Sequence, residues 1–196
     1  MRFRPLRIEG AWEVTPAQFP DPRGMFAEGF RADKLAEHIG HVMAVRQTNI
    51  SVSVAGAVRG IHYASLPPSQ AKYVTALSGV FVDYVVDVRV GSPTFGQWDS
   101  VVLDTVDRRA VYLSEGLGHT LSCVADGTCL YLCSQVYNPT GEKGITPLDR
   151  TVALTLPADD HRILSDKDTG APTLAEALAA GLLPDYAQCR SWRASL

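Results

Sequence analysis

From residue 42 to residue 156 the chain is cut into short strand-forming runs by closely spaced Gly, Pro and Asp turns, which leaves little room for helix. Gln47, Asn49, Ser51 and Ser53 alternate with Thr48, Ile50, Val52 and Val54, the period of two that gives a strand one apolar face. Ala55-Gly56 reads as a turn into a run over 57–63. Ser78-Gly79 reads as a hairpin turn between a run over 70–77 and Val80–Arg89. Further runs are expected at 97–103, 110–113, 119–124 and 128–137, separated by Gly91-Ser92-Pro93, Asp104–Arg109 and Asp126-Gly127. Many short strands at this spacing predict a mainly β sandwich or closed barrel. Helix is expected over 31–39, ended by Gly40, and near 173–181. There Thr173 and Glu176 make a capping box, and Leu174, Ala177 and Leu178 make an apolar stripe.

A length of 196 residues suits one well-buried domain, and no repeat or linker divides it, so residues 1–196 are read as a single unit. The net charge of −3 argues against nucleic acid and against an anionic membrane surface. No apolar run is long enough to span a bilayer, and the N-terminus lacks a signal-peptide core. Cys123, Cys129, Cys133 and Cys189 form no CxxC pair. Three of them lie in or beside apolar runs, as core hydrophobes do, so a reducing, cytoplasmic setting is expected.

The chemistry concentrates around Val58-Arg59-Gly60-Ile61-His62-Tyr63 and Lys72, which place a guanidinium, an imidazole and an ammonium on adjoining strands. Such a group repels itself unless an anion or carboxylate answers it. Imidazole suits proton abstraction near neutral pH, an ammonium can hold the negative charge that results, and arginine grips phosphate. His119 follows the loop Ser114–Gly118 and either caps it or joins the site. Tyr131 and Tyr137 share strand parity with Cys133 and Gln135, a mixed face suited to a cavity wall, from which a tyrosine can donate a proton opposite a base. Asp168, in a polar run, becomes functional if the fold carries it to His62, where a carboxylate would fix the tautomer. Asp21-Pro22-Arg23-Gly24 reads as a turn. Metal-binding barrels of this size use His-x-His followed by a carboxylate. Here His62 is followed by Tyr63 and Ala64, and no metal is expected.

Taken in order, several segments resemble the dTDP-4-dehydrorhamnose 3,5-epimerase family. They are Asp21–Glu28, Arg46–Asn49, Gly56–Tyr63, Pro67–Lys72, Val86–Arg89 with Gly91–Gly96, Ser114–Gly116, Tyr131–Ser134 and Tyr137–Pro139. The resemblance runs from about residue 8 to residue 186. It implies a cupin-type jelly-roll β-barrel with a few short helices. It also implies a homodimer without metal or other cofactor, acting on a dTDP-4-keto-6-deoxyhexose. By similarity His62 is the base, Asp168 its paired carboxylate, Tyr131 the acid and Lys72 the donor to the enolate oxygen. The resemblance puts Arg23 and Arg59 near the diphosphate and Phe26 and Tyr137 near the thymine. Glu28, Gln47, Asn49, His119 and Glu142 become polar contacts, and an arm over about 1–28 reaches the partner subunit. Thr120-Leu121 replaces the family's usual Gly-Phe. Leu156 stands before Pro157 where a tryptophan is usual, and another tryptophan is usual near Thr146-Pro147. Two rival readings keep the fold: a silent sugar-nucleotide-binding protein, which needs no acid opposite a base, and a metal-dependent cupin enzyme.

Overall fold

The computed structural model describes residues 1–67, 69–156 and 161–196, so Pro68 of the Pro67–Lys72 segment and Pro157 after Leu156 lie outside the described residues. In chain order the elements are β1 (Arg2–Pro5), β2 (Ala11–Thr15), β3 (Gln18–Asp21), β4 (Gly24–Ala27), α1 (Ala32–Ile39) and β5 (Gln47–Ser53). There follow β6 (Val58–Ala64), β7 (Lys72–Val86), β8 (Trp98–Asp104), β9 (Ala110–Leu113), β10 (Gly118–Cys133) and β11 (Glu142–Gly144). The chain ends in three short helices, α2 (Asp166–Thr169), α3 (Leu174–Ala179) and α4 (Tyr186–Ala194).

Two long strands organise everything else. The expected hairpin at Ser78-Gly79 and the expected turn at Asp126-Gly127 are instead bends inside β7 and β10, which pair with each other along their lengths. Gly79 has φ +75°, and the register shifts around Ala125–Thr128 where the bends meet. A Cβ on Gly79 would lie 2.6 Å from the Gly127 Cα, and one on Gly127 would lie 2.3 Å from the Ser78 oxygen. Glycine at both positions therefore lets two bent strands nest. Each strand then serves two sheets. The first half of β7 and the second half of β10 join β9, β2, β1 and β5; their other halves join β8, β6 and β11. The result is the jelly-roll barrel.

Apolar side chains from both sheets fill the space between them, among them Val74, Phe81, Val85, Leu103, Val111 and Leu121. Leu35 of α1 packs with Met43, Tyr73 and Tyr112 outside one sheet. Ile145, Val152 and α3 cover Ile61 and Tyr63 outside the other. The capping box of α3 is present, with Thr173 Oγ1 accepting from Glu176 N at 3.2 Å. All four cysteines are free and buried. Among the described residues no helix is long and apolar enough to cross a membrane.

Strand β5 keeps its alternation but turns it inside out. Gln47, Asn49 and Ser51 face a cavity, while Ile50, Val52 and Val54 point outward at 69%, 72% and 54% exposure. At the N-terminus, Arg2–Pro5 and Ala11–Thr15 are two strands of the main sheet. The β3–β4 hairpin pairs separately from it.

Candidate active site

A cavity of about 530 Å³ lies between the sheets along β5 and β6. Its walls follow from register. Lys72 shares the inward face of β7 with Val74 and Ala76, whereas Tyr73 faces α1. Tyr131 packs against the inner core and Leu132 against the outer one. The strand expected to run to Tyr137 stops at Cys133, so Tyr137 reaches the cavity from the segment beyond.

On β6 the sharing of one face needs a fault in the strand. Residues three apart in a regular strand face opposite sides, yet Arg59 and His62 both line the cavity. His62 pairs with His119 and Arg59 with Leu121, so Gly60 and Ile61 together oppose Thr120. This is a β-bulge. Gly60 has φ +144°, and a Cβ there would lie 2.6 Å from the His119 oxygen and 2.7 Å from the Thr120 Cα. Only glycine fits that approach.

His62 Nε2 lies 2.7 Å from Asp168 Oδ1. Asp168 sits in the short helix α2, whose N-cap hydroxyl, Ser165 Oγ, accepts from the Asp168 N–H at 3.1 Å. Burial raises the Asp168 pKa, but bonds from His62, Ser165 and the Gly60 backbone outweigh it and hold the group below the usual carboxylate range. A carboxylate accepts only, so Nε2 carries the hydrogen and Nδ1 is left with the lone pair.

A second couple lies deeper. His119 Nδ1 is 3.1 and 3.2 Å from the two Asp83 oxygens, and its Nε2 is 3.4 Å from Lys72 Nζ. Its ring meets Tyr131 edge-on at 6.0 Å between centroids. Burial raises the Tyr131 pKa above its ordinary value, with Asp83 adding to the effect and the Ser51 hydroxyl and Arg59 opposing it. The phenol therefore stays protonated.

Arg59 donates from Nε to Ser53 Oγ at 3.0 Å and from Nη2 to the Val52 oxygen at 3.2 Å. Gln47 ties two neighbours, donating to Asn49 Oδ1 at 2.7 Å and accepting from the Tyr137 backbone N–H at 2.8 Å. Glu142 lies on β11 opposite Ala64. Ten expected residues thus line one cavity: Gln47, Asn49, Arg59, His62, Lys72, His119, Tyr131, Tyr137, Glu142 and Asp168. Arg23, Phe26 and Glu28 do not line it. Arg23 pairs with Asp21 at 2.6 Å, Glu28 with Arg31 at 3.0 Å, and Phe26 is 65% exposed. The altered positions Thr120, Leu121 and Leu156 are not in the cavity wall either; Leu121 is in the apolar core.

Ser51, Gln70, Ser165 and Lys167 also line the cavity without having been singled out. Ser51 shares parity with Gln47 and Asn49, a signal that was available. Lys167 carried none, because nothing in a polar loop shows which side chain turns inward. Among the described residues no group of three His, Cys, Asp or Glu side chains is placed to hold a metal ion.

Comparison with known proteins agrees with this geometry. The model of the dTDP-4-dehydrorhamnose 3,5-epimerase family matches residues 5–176. A dTDP-4-dehydrorhamnose 3-epimerase of Streptomyces niveus is 52% identical, over 97% of this chain and 92% of its own. A dTDP-4-dehydrorhamnose 3,5-epimerase of Mycolicibacterium smegmatis is 51% identical, over 98% and 95%. The solved structure of an epimerase from Mycobacterium tuberculosis superposes with a TM-score of 0.97 at 48% identity, covering 100% of this chain and 99% of that one. With this match along its length, the chain belongs to the dTDP-4-dehydrorhamnose 3,5-epimerase family.

Proposed function

We propose that the cavity binds a dTDP-4-keto-6-deoxyhexose and that its residues invert carbon 3, carbon 5 or both, in deoxysugar synthesis. The 4-keto group acidifies the hydrogens on its neighbouring carbons. His62 Nδ1 removes one, Asp168 stabilises the imidazolium, and Lys72 donates to the oxygen of the enolate. Tyr131, held protonated, returns a proton from the other face. Positioned acid–base catalysis supplies roughly a hundred- to ten-thousand-fold. An oxyanion donor is worth on the order of 3 kcal/mol. Carbon-acid chemistry needs both contributions.

The observation that carries this reading is the 2.7 Å contact of His62 with a buried Asp168, in one cavity with Tyr131 and Lys72. A silent binding protein has no use for a base whose tautomer is fixed opposite a protonated phenol. Arg59 is assigned to the diphosphate and Tyr137 to the thymine, with Gln47, Asn49 and Glu142 as polar contacts and His119 contributing through its contact with Lys72. No cofactor enters these steps.

The protein acts as a homodimer in this reading. Ile50, Val52 and Val54 form an exposed apolar stripe on an edge strand, which invites cover. Phe19 and Phe26 on the β3–β4 hairpin are also exposed. The hairpin and the residues after it would bring Arg23, Phe26 and Glu28 to the partner's cavity. Four unpaired cysteines fit a reducing cytoplasm.

The test is incubation with dTDP-4-keto-6-deoxyglucose in deuterium oxide, followed by NMR. Deuterium should enter at carbon 3, carbon 5 or both, which also fixes the stereochemical scope. Absence of exchange at both carbons overturns the reading. Tyr131→Phe should still exchange while inverting at least about tenfold more slowly; undiminished inversion would remove Tyr131 from the acid role.

A further inference from the structure

The order of partners around His119 determines which nitrogen carries its hydrogen. An ammonium has only N–H donors, so Lys72 Nζ at 3.4 Å from Nε2 calls for a lone pair there. A neutral ring with a bare Nε2 carries its hydrogen on Nδ1, and Nδ1 faces both Asp83 oxygens. Burial lowers the His119 pKa, Lys72 and His62 act the same way, and Asp83 opposes them without reversing the result. The neutral ring is the form that fits. The titratable groups facing it are Asp83 and Lys72 from β7, His62 from β6 and Tyr131 from its own strand.

Asp83 is fully buried, and its strand neighbours on the inward face, Phe81 and Val85, belong to the apolar core. An apolar residue would fill that position with less desolvation cost. What the carboxylate adds is a fixed acceptor at the base of a chain that climbs through His119 to Lys72 and ends at the cavity.

We propose that Asp83 is a positioning residue: by holding His119 with its bare nitrogen toward Lys72, it aims the ammonium at the substrate's keto oxygen. The proposal rests on Lys72 being the donor to that oxygen. One ammonium hydrogen is committed to His119 Nε2, and the other two are left for the cavity. Without the anchor the flexible lysine stem has several rotamers to choose from, and a misplacement of about 1 Å can cost about a hundredfold in rate.

Deuterium exchange into the keto sugar, measured at several substrate concentrations, separates this from a purely structural role. Asp83→Leu should lower kcat by about ten- to a hundredfold and move KM by less than about threefold. Asp83→Asn, whose amide oxygen can still accept the Nδ1 hydrogen, should recover most of the loss. In a Lys72→Ala background, Asp83→Leu should add less than about twofold, because its effect passes through the lysine. Nitrogen-15 NMR of the wild-type protein near neutral pH should show His119 protonated at Nδ1 and bare at Nε2, an observation independent of any variant's folding. A protonated Nε2, a loss confined to KM, or the same Asp83→Leu factor with and without Lys72 each overturns the proposal. If Lys72→Ala exchanges at the full rate, the donor reading falls and the proposal with it. If Lys72→Ala is slow and the Asp83 loss persists in its background, only the proposal falls.

Discussion

Two clusters of buried charge sit at the two ends of β7, and they are built to opposite rules. Just past its C-terminal end, Arg89 and Asp87 are both wholly buried and bond at 2.8 Å through Nε and through Nη2. Ser92 and Thr94 hydroxyls donate to the same carboxylate at 2.5 and 2.6 Å, and Arg89 also reaches the Glu9 oxygen at 3.0 Å. The carboxylate there is thoroughly answered by the protein. In the cavity, by contrast, Lys72, His62 and Tyr131 keep part of their bonding capacity turned toward open space. A carboxylate answered on every side holds a fold, whereas groups left open have something to offer a ligand.

The comparison predicts that mutations separate cleanly. His62→Ala should lower deuterium exchange by about a thousandfold or more, since it removes the proposed base, while urea unfolding changes by less than about 1 kcal/mol. A matching loss of stability would erase the distinction. Asp87→Ala should do the reverse, destabilising by about 3–5 kcal/mol because Arg89 is left buried and unpaired. The folded fraction of that variant should still exchange at the normal rate. Acid sharpens this arm. Burial raises the Asp87 pKa, but Arg89, Ser92 and Thr94 more than compensate and hold it below its ordinary value. Its contribution is therefore complete above the unfolded carboxyl's pKa of about 3.9 and is lost as pH falls through the lower folded value. The wild type should lose this contribution below about pH 4, and Asp87→Ala should show a flatter acid limb. The smallest effect on a single protomer is expected at Val52→Lys, on the outer face of β5. It should leave monomer stability within about 0.5 kcal/mol yet shift sedimentation from dimer to monomer. A monomeric wild type would refute the covering role given to that face.

Much of the barrel is legible in the chain. The run at 110–113 is β9 itself, and the Thr173–Glu176 box caps α3 as its side chains require. The misreadings share one cause: local patterns do not say what lies across the sheet. Ser78-Gly79 and Asp126-Gly127 look like turns because glycine serves a turn and a bulge equally well, and only the nesting of the two glycines distinguishes them. Likewise, alternation in β5 reveals two faces but not which is inward, since a polar cavity and bulk water ask for the same residues. The strands β1–β4 and helix α4 carry weak patterns and owe their form to the sheet and core they join. For the site, Arg59, His62 and Lys72 are close in sequence and could be grouped at once. Asp168 is 106 residues from His62, and Asp83 looks like one more strand residue until His119 is seen beside it.

The bulge at Gly60-Ile61 makes this site a matter of counting as well as of chemistry. Shortening β6 by one residue there would leave the arginine, the histidine and the other cavity-lining side chains in the chain. The strand would then pair evenly with β10, and either Arg59 or His62 would point out through the wrong side of the sheet. Every ingredient would survive such a deletion, and the parity that lets them meet would be gone.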